Sequence, residues 1–225
     1  MKIAILIPSR GRPEGARRII ESGYRLAAHP ENVEFIVRLD WDDPALSATL
    51  KALPNYSKAI IGSPLRGYLS LHEYTNDCAA LSTADWLCGM NDDADFISND
   101  WDLAIPTASG KQVLFPRVLI PQDRSKAELE KHAERDRLDF PIISRELYRA
   151  IGCYCPVSVM DWFWYGAIQK KPFLSGAVLE KLIMEHRYER TQFLTTQLTV
   201  DELPQVIEYR SPENQKLIQS AYAKI

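Results

Sequence analysis

Three carboxylates, Asp92, Asp93 and Asp95, fall within the run Asn91-Asp92-Asp93-Ala94-Asp95. Acids one or two residues apart in a loop can share one hard cation. Mg²⁺ and Mn²⁺ prefer oxygen ligands and take one or two carboxylates together with the phosphates of a substrate. An ion held there would bridge a diphosphate and neutralise its charge as it leaves. The same run is also compatible with an acidic turn ahead of a helix, where negative charge is favoured. Placement bears on the choice, because the run follows directly on the apolar stretch Ala84–Met90 and so closes a buried strand.

Other chemistry-bearing residues are spread along the chain. Asp40-Trp41-Asp42-Asp43-Pro44 closes a second apolar stretch. It suits a turn, since Asp and Pro favour turns, and equally a carboxylate that meets a base or ribose. Ser9-Arg10-Gly11-Arg12-Pro13 follows the first apolar stretch. Asp161 stands among aromatics in Met160-Asp161-Trp162-Phe163-Trp164-Tyr165. Desolvation there raises a carboxylate pKa and suits a general base, while the alternative is the cap of the following helix. His186 ends a late apolar stretch as a single histidine, a metal ligand or a plain core residue.

The elements that must position these groups alternate strand and helix. Lys2–Pro8 is a continuous apolar run, as in a strand buried on both faces. Pro13 suits the first turn of a helix reaching about Ala28. Strands are expected at Val33–Leu39, Lys58–Ile61, Ala84–Met90, Gln112–Ile120, Phe140–Ile143 and Val178–Met184, and helices at Leu69–Ser82, Arg145–Ile151 and Met160–Gln169. Ser144 should cap the helix Arg145–Ile151 and Gly152 should end it. Alternation of this kind implies a mostly parallel sheet between helical layers, with ligands outside the carboxyl ends of the strands. The clusters at Ser9-Arg10, Asp40-Asp42 and Asp92-Asp93-Asp95 would then meet at one sheet edge.

Composition narrows the function. The 225 residues suit one domain, 1–225, with about 191–225 as a tail of unassigned role. The net charge of −3 provides no global field for nucleic acid or anionic membrane. The mixed-charge stretch Arg117–Arg149 reads as a solvated helix face. No signal-peptide pattern opens the chain and no apolar run approaches about 18 residues, so a cytoplasmic protein without a membrane span is expected. Cys78, Cys88, Cys153 and Cys155 contain no Cys-x-x-Cys pair, which argues against a zinc or disulfide framework. Phosphate-loop, dinucleotide, nucleophile-elbow and His-Glu-x-x-His motifs are missing from the sequence.

Taken in order, these segments resemble the family 2-like glycosyltransferases of GT-A fold. Ile5-Leu6-Ile7-Pro8-Ser9-Arg10-Gly11-Arg12-Pro13 is similar to the opening strand and nucleotide-contacting loop. Phe35–Asp40 with Asp42 is similar to the second strand and its nucleoside acid. Arg66-Gly67-Tyr68 and Asn76 resemble the turn and helix that precede the metal motif, and Ala84–Asp95 resembles the Asp-x-Asp strand and loop. The resemblance covers about residues 2 to 190. It implies a three-layer α/β/α sandwich and transfer of a sugar from a nucleoside diphosphate donor, UDP by family default, to an acceptor hydroxyl with inversion. It implies donor contacts from Pro8, Ser9, Arg10, Arg12, Asp40, Asp42, Arg66, Gly67, Asn76 and Asp92. Mn²⁺ or Mg²⁺ would sit on Asp93, with Asp95 or Asp92 and with His186, and Asp161 would be the base. Asn91 stands where many members have Asp, so Asn91-x-Asp93 and Asp93-x-Asp95 compete as the metal motif. The acceptor is a glycan, a small molecule or, as in compact bacteriophage enzymes, a hydroxymethylated DNA base. A non-catalytic module of the same fold and a sugar-nucleotide pyrophosphorylase are the rival readings. Neither the oligomeric state nor the acceptor is set by any residue.

Overall fold

The computed structural model describes residues 1–107, 110–119, 139–187 and 203–225. Most of the mixed-charge stretch, residues 120–138, and the first part of the tail, residues 188–202, lie outside the described residues.

The chain opens with β1 (Ile3–Pro8), α1 (Pro13–Leu26), β2 (Val33–Asp40), α2 (Leu46–Ala52) and β3 (Ser57–Gly62). It continues with α3 (Leu71–Leu81), β4 (Trp86–Gly89), β5 (Ala94–Phe96), β6 (Val113–Leu119), β7 (Ile142–Ser144), α4 (Arg145–Ile151) and α5 (Met160–Lys170). β8 (Ser175–His186), α6 (Pro204–Tyr209) and α7 (Pro212–Lys224) complete it. The eight strands form one sheet in the order β3-β2-β1-β4-β7-β6-β8-β5. The first four are mutually parallel. β7 turns antiparallel to β4 and to β6, β6 runs parallel to β8, and β5 pairs antiparallel with β8.

Period-two alternation in β1 shows why both faces are apolar. Ile3, Ile5 and Ile7 face one core with α1 residues Ile19 and Ile20. Ala4 and Leu6 face the other, with Cys78 and Ala79 of α3 and Phe163 and Trp164 of α5. The result is a mostly parallel sheet between helical layers, the arrangement that the sequence resemblance implied. Ser144 caps α4 by accepting a hydrogen bond from the Leu147 N–H, and Gly152 ends that helix in the left-handed region. β5, α2, α6 and α7 were not expected. The last two fold back, with Ile218, Ala221, Tyr222 and Ile225 joining the core beneath α5. No helix among the described residues is long and apolar enough to cross a membrane.

Candidate active site

Because β1, β2 and β4 are parallel neighbours, the loops after them converge at one edge. They enclose a cavity of about 330 Å³ lined by Pro8, Ser9, Arg10, Arg12, Asp40, Asn91, Asp92 and Asp93, with Gly67, Tyr68, Leu71 and Tyr74 on the facing side. That volume lies at the low end of small-molecule sites. Gly67 makes the turn of this facing wall at φ +58°, a left-handed conformation that favours glycine.

One wall is an arginine–aspartate lattice. Arg10 Nη1 donates to Asp40 Oδ2 at 2.8 Å and to Asp42 Oδ1 at 2.5 Å. Those bonds, to Asp42 and then Asp40, raise the Arg10 pKa, and Arg10 in turn lowers that of Asp42. Asp40 also receives the Tyr74 hydroxyl at 3.1 Å and the buried Arg38 guanidinium at 3.2 Å. Arg38 is 3 % exposed, a buried cation in β2 beside the strand's terminal acid.

The acid loop has a distinct job for each carboxylate. Asp92 accepts from Ser9 Oγ at 2.7 Å and from Arg12 Nη1 at 2.8 Å, tying the loop to the end of β1. Burial lifts its pKa to about 6, against the opposing pull of Arg12. Asp93 is 2 % exposed and lies 3.5 Å from Arg12 through Oδ2. Its Oδ1 stands 3.2 Å from His186 Nε2. Burial would raise the Asp93 pKa, but His186 and Arg12 outweigh it and the net shift is downward. For His186 burial lowers the pKa, and the attraction of Asp139 and Asp93 reverses that to a net rise.

β5 explains how residues so far apart in sequence meet. In its ladder with β8, Ala94 lies opposite His186, and the Arg187 N–H donates to the Asp93 carbonyl at 2.8 Å. The acid loop is therefore held against the end of β8. The same strand takes Asp95 elsewhere. Its carboxylate accepts from Arg18 Nε at 2.9 and 3.0 Å and from Arg187 Nε at 2.7 Å, and it does not line the cavity. The two guanidiniums hold it, so the structure does not bring Asp95 together with Asp93.

Three other expected donor contacts also lie outside the cavity lining. Asn76 spends its amide on backbone, donating to the Cys155 carbonyl at 2.8 Å and accepting from the N–H groups of Tyr154 and Cys155 at 2.8 and 3.2 Å. Arg66 pairs with Glu208 of α6 at 2.9 Å. Asp42 reaches the lining only through its bond to Arg10.

Asp161 lies in the first turn of α5, where Val159 is the capping position and no side-chain cap bond forms. Its pKa is pushed up to about 6, first by burial and then by the nearby charge of Asp139. His186 acts on it in the opposite sense. Asp161 does not line the cavity; its electrostatic neighbours are the Asp139–His186 pair.

The donor set fits a divalent cation completed by substrate. Among the described residues no three His, Cys, Asp or Glu side chains form a ready metal cage. Asp93 Oδ1 and His186 Nε2 do form a pair at 3.2 Å. Two ligands each about 2.1 Å from one ion and at right angles to it are about 3 Å apart. A site completed by phosphate needs no more protein ligands than that pair.

No family model and no curated protein matches the sequence. Solved structures do match the fold. A mannosyltransferase from Pyrobaculum calidifontis, PcManGT in complex with GDP-Man and Mn²⁺, aligns with a TM-score of 0.60 at 11% identity, over 99% of this chain and 73% of its own. S. aureus TarS (1-349) in complex with UDP-GlcNAc aligns with a TM-score of 0.64 at 10% identity, over 100% of this chain and 66% of its own. A mycobacterial protein aligns at 0.57 and 15% identity, over 86% and 69%. At these identities the likeness is one of fold, and that fold is the GT-A type.

Proposed function

We propose that this chain is a metal-dependent glycosyltransferase that moves a sugar from a nucleoside diphosphate donor to an acceptor hydroxyl. The observation that carries the reading is the convergence of three strand-end loops on one cavity lined by Asp93, with His186 3.2 Å from that carboxylate and behind the lining. The GDP-Man and Mn²⁺ bound by PcManGT, and the UDP-GlcNAc bound by TarS, support it.

In this reading the nucleoside lies against Pro8, Ser9, Arg10 and Asp40, and Arg12 faces the diphosphate. A divalent cation held by Asp93 and His186 would supply charge neutralisation to the leaving diphosphate. Asp161 takes the proton from the acceptor hydroxyl. The acceptor oxygen bonds to the anomeric carbon while the bond from that carbon to the phosphate oxygen breaks, and its electron pair leaves on the nucleoside diphosphate. A single displacement of this kind inverts the anomeric centre. The acceptor is a hydroxyl of a glycan or small molecule, with a hydroxymethylated base of DNA as the further case to assay.

Thermal unfolding with UDP, GDP, ADP and CDP, with and without Mn²⁺, tests the donor site. A ligand that binds only the folded state raises the apparent stability by about 2.7 kcal/mol at a hundred times its Kd. A Mn²⁺-dependent shift with one nucleotide is expected. A folded protein that shifts with none of them would leave a GT-A scaffold without a donor site.

A further inference from the structure

Outside the cavity, two adjacent residues take hold of the same histidine. Asp139 Oδ2 lies 3.2 Å from His186 Nδ1, on the side of the ring opposite Asp93. The next residue, Phe140, is 5 % exposed and sets its ring 4.8 Å from the imidazole, tilted by 54°. Phe140 also holds φ at +59°, in the left-handed region that a bulky side chain rarely occupies. Such a conformation persists where its surroundings over-determine it, and it concentrates at functional sites. Here the turn delivers a carboxylate to the edge of the ring and an aromatic to its side.

We infer that Asp139 is a positioning residue that, together with the Phe140 ring, fixes the orientation and tautomer of His186 so that its Nε2 lone pair meets a divalent cation beside Asp93. The inference rests on the metal-dependent reading above. An imidazole has two nitrogens, and the hydrogen bond made by one decides which carries the proton. A carboxylate at Nδ1 keeps the proton there and leaves Nε2 as the donor atom. Partners of this kind change metal affinity by about 10- to 100-fold when removed. Sequence spacing gives no hint of this role, because Asp139 is one of several acids in the mixed-charge run Glu134-Arg135-Asp136-Arg137-Leu138-Asp139.

The test is a Mn²⁺ titration of the whole chain with UDP and with GDP, free Mn²⁺ being counted by its electron paramagnetic resonance signal, well below the melting temperature. It compares wild type, Asp139→Ala, Asp139→Asn and His186→Ala. The expected result is a Mn²⁺ affinity about 10- to 100-fold weaker in Asp139→Ala, approaching that of His186→Ala. Asp139→Asn, whose amide oxygen can still accept from Nδ1–H, should recover part of the loss. A purely structural ion pair would lower the melting temperature of Asp139→Ala and leave the Mn²⁺ affinity of its folded form unchanged, which would overturn the inference. Wild type that takes up no Mn²⁺ with either nucleotide would overturn the donor-site reading and this inference with it.

Discussion

In the proposed mechanism the carboxylate that takes a proton from an alcohol must be ionised yet basic, and the surroundings of Asp161 suit both conditions. Its pKa of about 6 comes from burial and from Asp139. Donor turnover should therefore fall on the acid side as pH drops through about 6, because the protonated acid cannot accept, and a pH–rate profile checks this. Asp161→Asn should lower kcat by about 10²-fold or more while leaving nucleotide affinity within error. Loss of donor binding in that variant would refute the assignment. A second outcome concerns stability. A carboxyl whose pKa is raised on folding stabilises the fold at low pH, and that contribution is lost as pH rises through the folded value. At pH 7 to 8 the ionised acid burdens the fold, so Asp161→Asn should be about 1–2 kcal/mol more stable than wild type. The gap should close below about pH 4, as denaturant melts at several pH values would show. At this scale the sequence was readable where a polar residue closes an apolar run, as at Asp93, Asp40 and His186. It was silent on Tyr74 and Asp139, whose roles depend on what folds against them.

At the scale of elements, the parallel half of the sheet was readable because strands buried on both faces are unbroken apolar runs. β5 was not. Its three residues sit inside an acidic run and read as loop, yet its pairing with β8 is what brings Asp93 to His186. α2 was hidden behind the turn chemistry of Asp42-Asp43-Pro44, and α6 and α7 in a tail without strong periodicity. α1 approaches the acid loop so closely that a Cβ on Gly15 would collide with the Asp92 carbonyl oxygen. Replacing a helical glycine by alanine normally stabilises by about 0.5–1 kcal/mol. Here the sign should reverse. Gly15→Ala should cost about 1–3 kcal/mol and weaken nucleotide binding, because the loop that yields is the one carrying Asp92 and Asp93. Denaturant unfolding and the nucleotide-induced thermal shift would check both parts.

Over the whole molecule the two cores meet the site from opposite sides. α1 backs the acid loop, and α7 backs the helix that carries Asp161. The Tyr222 ring stacks on Phe163 at 5.1 Å, and its hydroxyl donates to the Phe163 carbonyl at 2.7 Å. Tyr222→Phe should cost about 1 kcal/mol, and Tyr222→Ala about 3 kcal/mol or more, in equilibrium unfolding. The larger loss should also lower kcat, since α5 would lose its backing. The acid loop itself has a bearing on how the protein is handled. Arg12 lies against Asp92 and Asp93, and His186 stands beside Asp93, so the chain carries its own counterions there. Small domains whose fold depends on a bound metal unfold in chelator. Under the proposed metal-dependent reading, this one should keep its melting temperature in EDTA and recover full nucleotide binding when Mn²⁺ is restored, an outcome that melts with and without chelator would check.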